Sequence, residues 1–368
     1  MRGRCRHRVS VIRRARLATC APRNGYDARV SELVRTLITD RGDAGQRVDL
    51  VIRRHLPDVT RASRTKVQLW IEEGRVTING AVVRRVAART AAGDSVEVTL
   101  PEAARQAPVL PEEGVLDCLY EDDELLVVNK PAGIVSHPTF RHPGGSLLNL
   151  LLWHAKVWPD GQRPSLVGRL DKLTSGLVVV AKSTAVHARL QRILSSSRSE
   201  KRYLAVAYGP MADTRTDIAL SLTRDPLDRR RVIATKGDGL QSLTHVERLR
   251  QSADVACPVV LACCRLATGR MHQIRVHMAA RGWPLIGDPK YGEPRWTPLS
   301  PSPIRELLET FPRQALHAWK VSFAHPSSGA RVEVTAPPPA DLRHLLDVCQ
   351  LTLPDESAVG APQASAER

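Results

Sequence analysis

The chain has 368 residues, room for two or three domains, and its 42% hydrophobic and 25% charged residues are an ordinary globular balance. No apolar run reaches the ~20 residues of a membrane-spanning helix, and seven scattered cysteines without a C-x-x-C speak against a disulfide framework or a zinc ribbon. Lysine and arginine exceed the acids by 54 − 38 = +16, which suits a polyanionic partner or reflects an arginine-rich tail, while 4% aromatic residues argue against a single-strand binder working mainly by base stacking.

The first 24 residues hold eight arginines and no acid, but lack the apolar stretch of a secretory signal. Residues 1–29 are expected to be a basic, disordered tail; a transit peptide or a misplaced start codon are the alternatives, and the protein reads as cytoplasmic. Residues 34–38 suit a short strand. Val48, Val51, Ile52 and Leu56 then fall at helical spacing, and Pro57 stops that helix. Ser63 can cap a second helix with Val67, Trp70 and Ile71 on its apolar face, ending at Gly74. Asn79-Gly80 is a two-residue hairpin signal, and Val96, Val98 and Leu100 alternate as a closing strand.

This helix–helix–hairpin pattern, "SRTKVQLWIEEGRVTING" above all, resembles the S4 RNA-binding domain and places one at residues 30–101. Arg47, Arg53, Arg54, Arg61, Arg64, Lys66 and Arg75 cluster around its short helices and could meet RNA phosphates without reading bases. The alternative is a solvated basic face. Residues 102–114, rich in Pro, Ala and Glu, read as a linker, residues 115–348 as a second domain and residues 349–368 as a disordered tail.

The second domain opens with a buried-strand run at residues 125–128, followed by a sharp turn at Lys130-Pro131-Ala132-Gly133. In "GRLDKLTSGLVVVAKS", Arg169, Asp171, Lys172, Thr174 and Ser175 crowd one polar loop ahead of a strand at residues 177–180, and Ser183 or Thr184 caps the next helix. Cations two residues before Asp171 and one after favour a charged carboxylate; alone, the loop reads better as an Asx-type turn in which Asp171 caps backbone amides. "EKRYLAVAYG" puts Tyr203 on a strand. "ATGRMHQIRVHMAARGWPLIGDPKYG" leads through a Thr-Gly-Arg turn into a helix holding His272, Arg275 and His277 and ending at Gly282. The two histidines are five apart, without the i, i+4 spacing of metal ligands, so no metal site is expected. A closing hairpin turns at Ser327-Ser328-Gly329.

In this order the segments resemble the RluA-type pseudouridine synthases across nearly the whole second domain, in which a leading S4 domain is familiar. The resemblance implies an α+β chain: a small S4-like domain followed by a catalytic domain with a large mixed, mostly antiparallel sheet and flanking helices. It implies Asp171 as nucleophile, Arg275 paired with it, Tyr203 stacked near the target base, and Arg169 helping to displace the uridine. No cofactor is implied, and the substrate would be structured RNA, foremost large-subunit ribosomal RNA, met by a monomer without a membrane. Gly168 departs from the pattern, since most members have histidine there. Arg229, Arg230 and Arg231 form either a phosphate contact or a solvated loop. A non-catalytic RNA-binding assembly factor is the competing reading, with Gly168 its sole support. A glycosidase lacks a second carboxylate near the motif loops.

Overall fold

The computed structural model describes residues 33–56, 64–100, 109–139, 142–228, 230–253 and 256–353. The expected tail at 1–29, Ser63, Arg61, Arg229 and residues 354–368 lie outside them.

The N-terminal part, β1 (Leu33–Ile38), α1 (Val48–His55), α2 (Arg64–Glu72), β2 (Val76–Ile78), β3 (Ala81–Val82) and β4 (Ser95–Leu100), forms an antiparallel sheet in the order β1-β4-β2-β3. The apolar residues at helical spacing in α1 and α2 close its core: Val48, Val51, Ile52, Val67 and Ile71 are fully buried. The β2–β3 turn has φ of 51° at Asn79 and 80° at Gly80, the double left-handed geometry of a two-residue hairpin.

Next come β5 (Cys118–Glu121), β6 (Leu125–Lys130), α3 (Leu147–His154), β7 (Ser165–Leu166), β8 (Ser175–Ala181), α4 (Thr184–Leu194) and β9 (Glu200–Tyr208). These are followed by β10 (Arg215–Arg224), β11 (Val232–Thr235), β12 (Leu240–Gln251), β13 (Val259–Leu266), α5 (Gln273–Ala280), α6 (Pro303–Thr310), β14 (Leu316–Ala324), β15 (Arg331–Thr335) and α7 (Ala340–Val348). Their strands make one eleven-stranded sheet, in the order β11-β10-β12-β13-β9-β14-β8-β6-β5, with β15 on β14 and β7 on β8. Every pairing described is antiparallel except β8 with β14, so the expected mixed, mostly antiparallel sheet is what forms. Ser146 and Ser183 cap α3 and α4, each accepting from a backbone N–H three residues on. β6, β8 and β13 are buried on both faces along most of their length, which is why they read as unbroken apolar runs.

Residues beside two expected boundaries pack against the core. Residues 109–114, expected as part of a linker, dock beside α3: Val109 is buried in the core of the large sheet, and Asn149 at the start of α3 donates to Leu110 and accepts, through its carbonyl, from Glu112 N–H. At the other end Cys349 and Leu351, assigned to a tail, are buried against the sheet face that α6 and α7 cover. Two or three apolar side chains in such a short stretch are too few to show periodicity, yet Val109, Cys349 and Leu351 are buried. The two parts also meet where Gly42 passes Ala185: a Cβ on Gly42 would lie 2.8 Å from Ala185 Cα, so only glycine allows this approach to the start of α4.

Candidate active site

Where β8 meets β14, two halves of the sheet join through a two-residue parallel contact, His317 opposite Ser175 and Ala318 opposite Gly176. A Cβ on Gly176 would stand 2.2 Å from the Ala318 carbonyl oxygen, so glycine is obligatory for this seam. The loop of residues 168–174 enters β8 here, and a cleft of about 330 Å³, within the usual range for small-ligand sites, opens above it.

Hydrogen bonds from distant parts of the chain clamp this loop. Lys130, fully buried, donates to the carbonyls of Pro131 (2.7 Å), Ile134 (3.0 Å) and Lys172 (3.3 Å). Ser136 Oγ donates to Leu170 O and accepts from Leu170 N. Arg313 donates to Leu173 O, and Gln314 donates to Thr174 Oγ1 at 3.1 Å. Ser175 Oγ lies 2.9 Å from His317 Nδ1, whose Nε2 faces the carbonyl of Ala336 at 3.1 Å. A carbonyl only accepts, so Nε2 carries the hydrogen and Nδ1 accepts from the serine. Burial pushes His317 down to about 4 and keeps it neutral. Burial, with Arg313 adding to it and Asp171 opposing, pushes Lys130 down to about 7.

On this platform Asp171, 19% exposed, points into the cleft and accepts at Oδ2 from Arg275 Nη1 at 2.8 Å. Arg275 comes from α5 and is gripped from behind by Asp288, with Nε and Nη2 each 2.7 Å from a carboxylate oxygen. Asp288 is fully buried and also accepts from the backbone N–H groups of Lys290 and Tyr291. Burial disfavours the Asp288 anion, but the hydrogen bonds and charge of Arg275 outweigh it and hold the carboxyl below its usual range. Burial likewise works against the Arg275 cation, yet Asp288 and then Asp171 raise it further above its usual range. The guanidinium is therefore a fixed, permanently charged donor aimed at one oxygen of Asp171. Tyr203 lines the same cleft from β9, and burial with the charge of Asp171 pushes its phenol up to about 12, so it stays protonated.

The structure gathers Asp171, Arg275 and Tyr203 around the cleft, with Arg169 exposed on its rim. It treats the other expected RNA-facing cations differently. Arg54 is only 12% exposed and bonds Asp43 at 2.7 Å, beside His55 on the same carboxylate, so it ties α1 to the loop before it. Arg75 pairs with Glu73, and Arg64 lies 3.4 Å from Asp49 while remaining half exposed. Arg53 and Lys66 are exposed. Arg230 is paired with Asp228, and the Arg231 guanidinium carbon sits 5.5 Å from the Tyr291 ring centroid. His272 is not inside the helix but precedes it with φ 55°, and His277 is a core residue held by Ser242 and Thr244. Gly168 has φ 110°, and a Cβ there would meet nothing within 4 Å, so its backbone, not crowding, favours glycine.

Sequence reasoning missed the parts played by Asp288, Tyr291, Lys130 and Arg313. The Gly-Asp-x-x-Tyr-Gly and Lys-Pro-x-Gly segments were visible, but nothing local says what their charged groups reach. Among the described residues no group of three or more His, Cys, Asp or Glu side chains could hold a metal ion, and no helix is long and apolar enough to cross a membrane.

A family model described as RNA pseudouridylate synthase matches residues 124–280, a span that holds Asp171, Tyr203 and Arg275. Ribosomal large subunit pseudouridine synthase D of Neisseria meningitidis serogroup A is 40% identical over 309 residues, covering 84% of this chain and 80% of that protein. An uncharacterised RNA pseudouridine synthase of Bacillus subtilis is 41% identical over 288 residues, covering 77% of this chain and 89% of that protein. Among solved structures, human RNA pseudouridylate synthase domain containing 1 matches with a TM-score of 0.47 and 25% identity, over 66% of this chain and 98% of its own. The chain belongs to the RNA pseudouridylate synthase family. It is an RNA pseudouridine synthase, an isomerase acting on RNA.

Proposed function

We propose that the chain converts specific uridines of large-subunit ribosomal RNA to pseudouridine, with Asp171 as the nucleophile. The observation that carries the site is the buried Asp288–Arg275–Asp171 chain, which presents one carboxylate to the cleft beside Tyr203. The ribosomal target follows the name of the Neisseria relative.

In the reaction the N1–C1′ bond of uridine breaks, the uracil turns, C5 bonds to C1′, and the C5 proton leaves as N1 gains one. A stacked uridine must first leave its helix, at a cost of roughly a few kcal/mol. Arg169 at the rim, Arg53, Arg64, Lys66 and Arg75 of an S4-like domain, and Arg229, Arg230 and Arg231 of the β10–β11 connection offset that cost through phosphate contacts. Arg54 belongs to the same set, although its pairing with Asp43 makes it the least available member. Asp171 attacks C1′ or C6, or assists loss of a ribose proton. Arg275 fixes its orientation, and Tyr203, as a protonated phenol, forms the wall against which the uracil stacks. The enzyme works as a cytoplasmic monomer without a cofactor.

Pseudouridine mapping in RNA from cells with and without the gene, repeated with purified protein, tests this reading. Asp171→Asn should form no pseudouridine while binding RNA as before, because it removes the nucleophile and almost no volume. Measurable product from that variant would sink the mechanism, and an unchanged ribosomal map would sink the target.

A further inference from the structure

His272 holds a backbone conformation that histidine rarely adopts, φ 55°, and its side chain makes no capping bond to α5. The conformation instead aims the ring. Nδ1 lies 2.8 Å from Tyr291 Oη, and Nε2 lies 3.8 Å from Asp171 Oδ2, with only 11% of the side chain exposed.

The hydrogens on this chain of groups can be assigned. The backbone N–H of Val232 can only donate, and it donates to Tyr291 Oη at 2.9 Å. Among the described residues, the phenol hydrogen then has His272 Nδ1 as its acceptor. With Nδ1 accepting, the imidazole hydrogen sits on Nε2, facing the carboxylate of Asp171. The opposite tautomer would set a lone pair of Nε2 against Asp171 Oδ2 and strand the phenol hydrogen. Burial holds the ring below its usual range, with Arg275 and Lys290 adding to the effect and Asp171 and Asp288 opposing it, so the ring is neutral.

We infer that His272, locked by Tyr291, is a second positioning residue for Asp171: its Nε2–H and Arg275 Nη1 both address Oδ2, leaving Oδ1 to meet the target nucleoside. Oδ1 has no hydrogen-bond partner among the described residues, in keeping with that role. The 3.8 Å separation becomes a hydrogen bond with a movement of about 1 Å, and catalytic hydrogen bonds often tighten only when substrate is in place. The inference rests on Asp171 being the reacting carboxylate.

Two measurements test it. The first is the ¹⁵N spectrum of the imidazoles in the full chain, with His272 assigned by its absence in His272→Asn. An Nε2–H tautomer is expected, and an Nδ1–H tautomer overturns the inference. The second compares His272→Asn with His272→Gln in single-turnover pseudouridine formation. Asparagine suits φ 55° and places an atom near Nδ1 but has none at Nε2, whereas glutamine fits the backbone worse yet reaches the Nε2 position. The asparagine variant should lose about tenfold or more in rate, the worth of a hydrogen bond to a charged group, with unchanged RNA affinity. Glutamine should recover most of that loss, and Tyr291→Phe, which frees Nδ1, should fall between. Asparagine matching wild type, glutamine doing no better than asparagine, or a loss confined to RNA affinity overturns the role. Wild-type protein inactive on every RNA would instead defeat the proposed function, and the tautomer measurement would still decide the hydrogen assignment.

Discussion

Replacing Asp288 by asparagine tests whether the site is held from behind. The carboxylate is fully buried and accepts from Arg275 Nε and Nη2 at 2.7 Å each, from Lys290 N at 2.9 Å and from Tyr291 N at 3.1 Å. Three of those donors converge on Oδ1, so an amide of the same shape keeps its oxygen there and turns its NH₂ toward Arg275 Nε. One charge-assisted bond becomes a pair of facing donors, and the buried guanidinium keeps only Asp171 as counter-charge. Breaking a buried ion pair costs about 3–5 kcal/mol, and the remaining pairing with Asp171 puts the expected loss near the lower end, about 3 kcal/mol. A guanidinium no longer fixed on one side also loses its aim at Asp171, and single-turnover rates should fall by roughly tenfold or more. Urea unfolding at pH 7 and single-turnover assays at saturating enzyme read the two effects. Stability within about 1 kcal/mol of wild type, the net worth of an ordinary hydrogen bond, together with an unchanged rate, would refute the reasoning.

Gly168→His should lower activity, because φ 110° strains any side chain by about 1–3 kcal/mol just ahead of Arg169 and Asp171; a rate equal to or above wild type would show that the loop re-forms without loss. Gly176→Ala should abolish soluble, folded protein, since its Cβ would stand 2.2 Å from a backbone oxygen in the sheet seam, and normal yield with a native circular-dichroism spectrum would contradict this. Lys130, brought down to about 7 in the fold from 10.5, binds fewer protons folded than unfolded between those values, so its contribution to stability rises with pH across that window. Wild type should therefore gain about 2 kcal/mol relative to Lys130→Met between pH 7 and pH 9 in urea titrations, and equal pH slopes for the two proteins would refute the shift.

Local signals in the sequence were reliable where a structure is made locally. Asn79-Gly80 announces its hairpin because both residues tolerate positive φ, and Ser183 announces α4 because its hydroxyl meets the Val186 N–H. The apolar spacing of Val48, Val51 and Ile52 gives α1 its buried face. The motif loops also named Asp171, Arg275 and Tyr203, which line one cleft. Pairing over distance was not legible. Arg54 looked available until Asp43, eleven residues earlier, took it, and Asp288 stands thirteen residues beyond the arginine it holds. The placement of β4 between β1 and β2 follows from which faces must be covered together, which no single strand states.

The grip on the loop of residues 168–174 also dates the completion of the cleft during synthesis. Leu173 O is held by Arg313 and Thr174 by Gln314, each partner 140 residues further along, and β8 gains its parallel neighbour only with β14. A ribosome that has released the chain through α5 has exposed Asp171, Tyr203 and Arg275, yet has not made the residues that fix the loop. Such distant closures are slow steps in folding. The cleft thus waits for the carboxyl-terminal strands, and a nascent or prematurely terminated chain carries Asp171, Tyr203 and Arg275 without the frame that holds their loop.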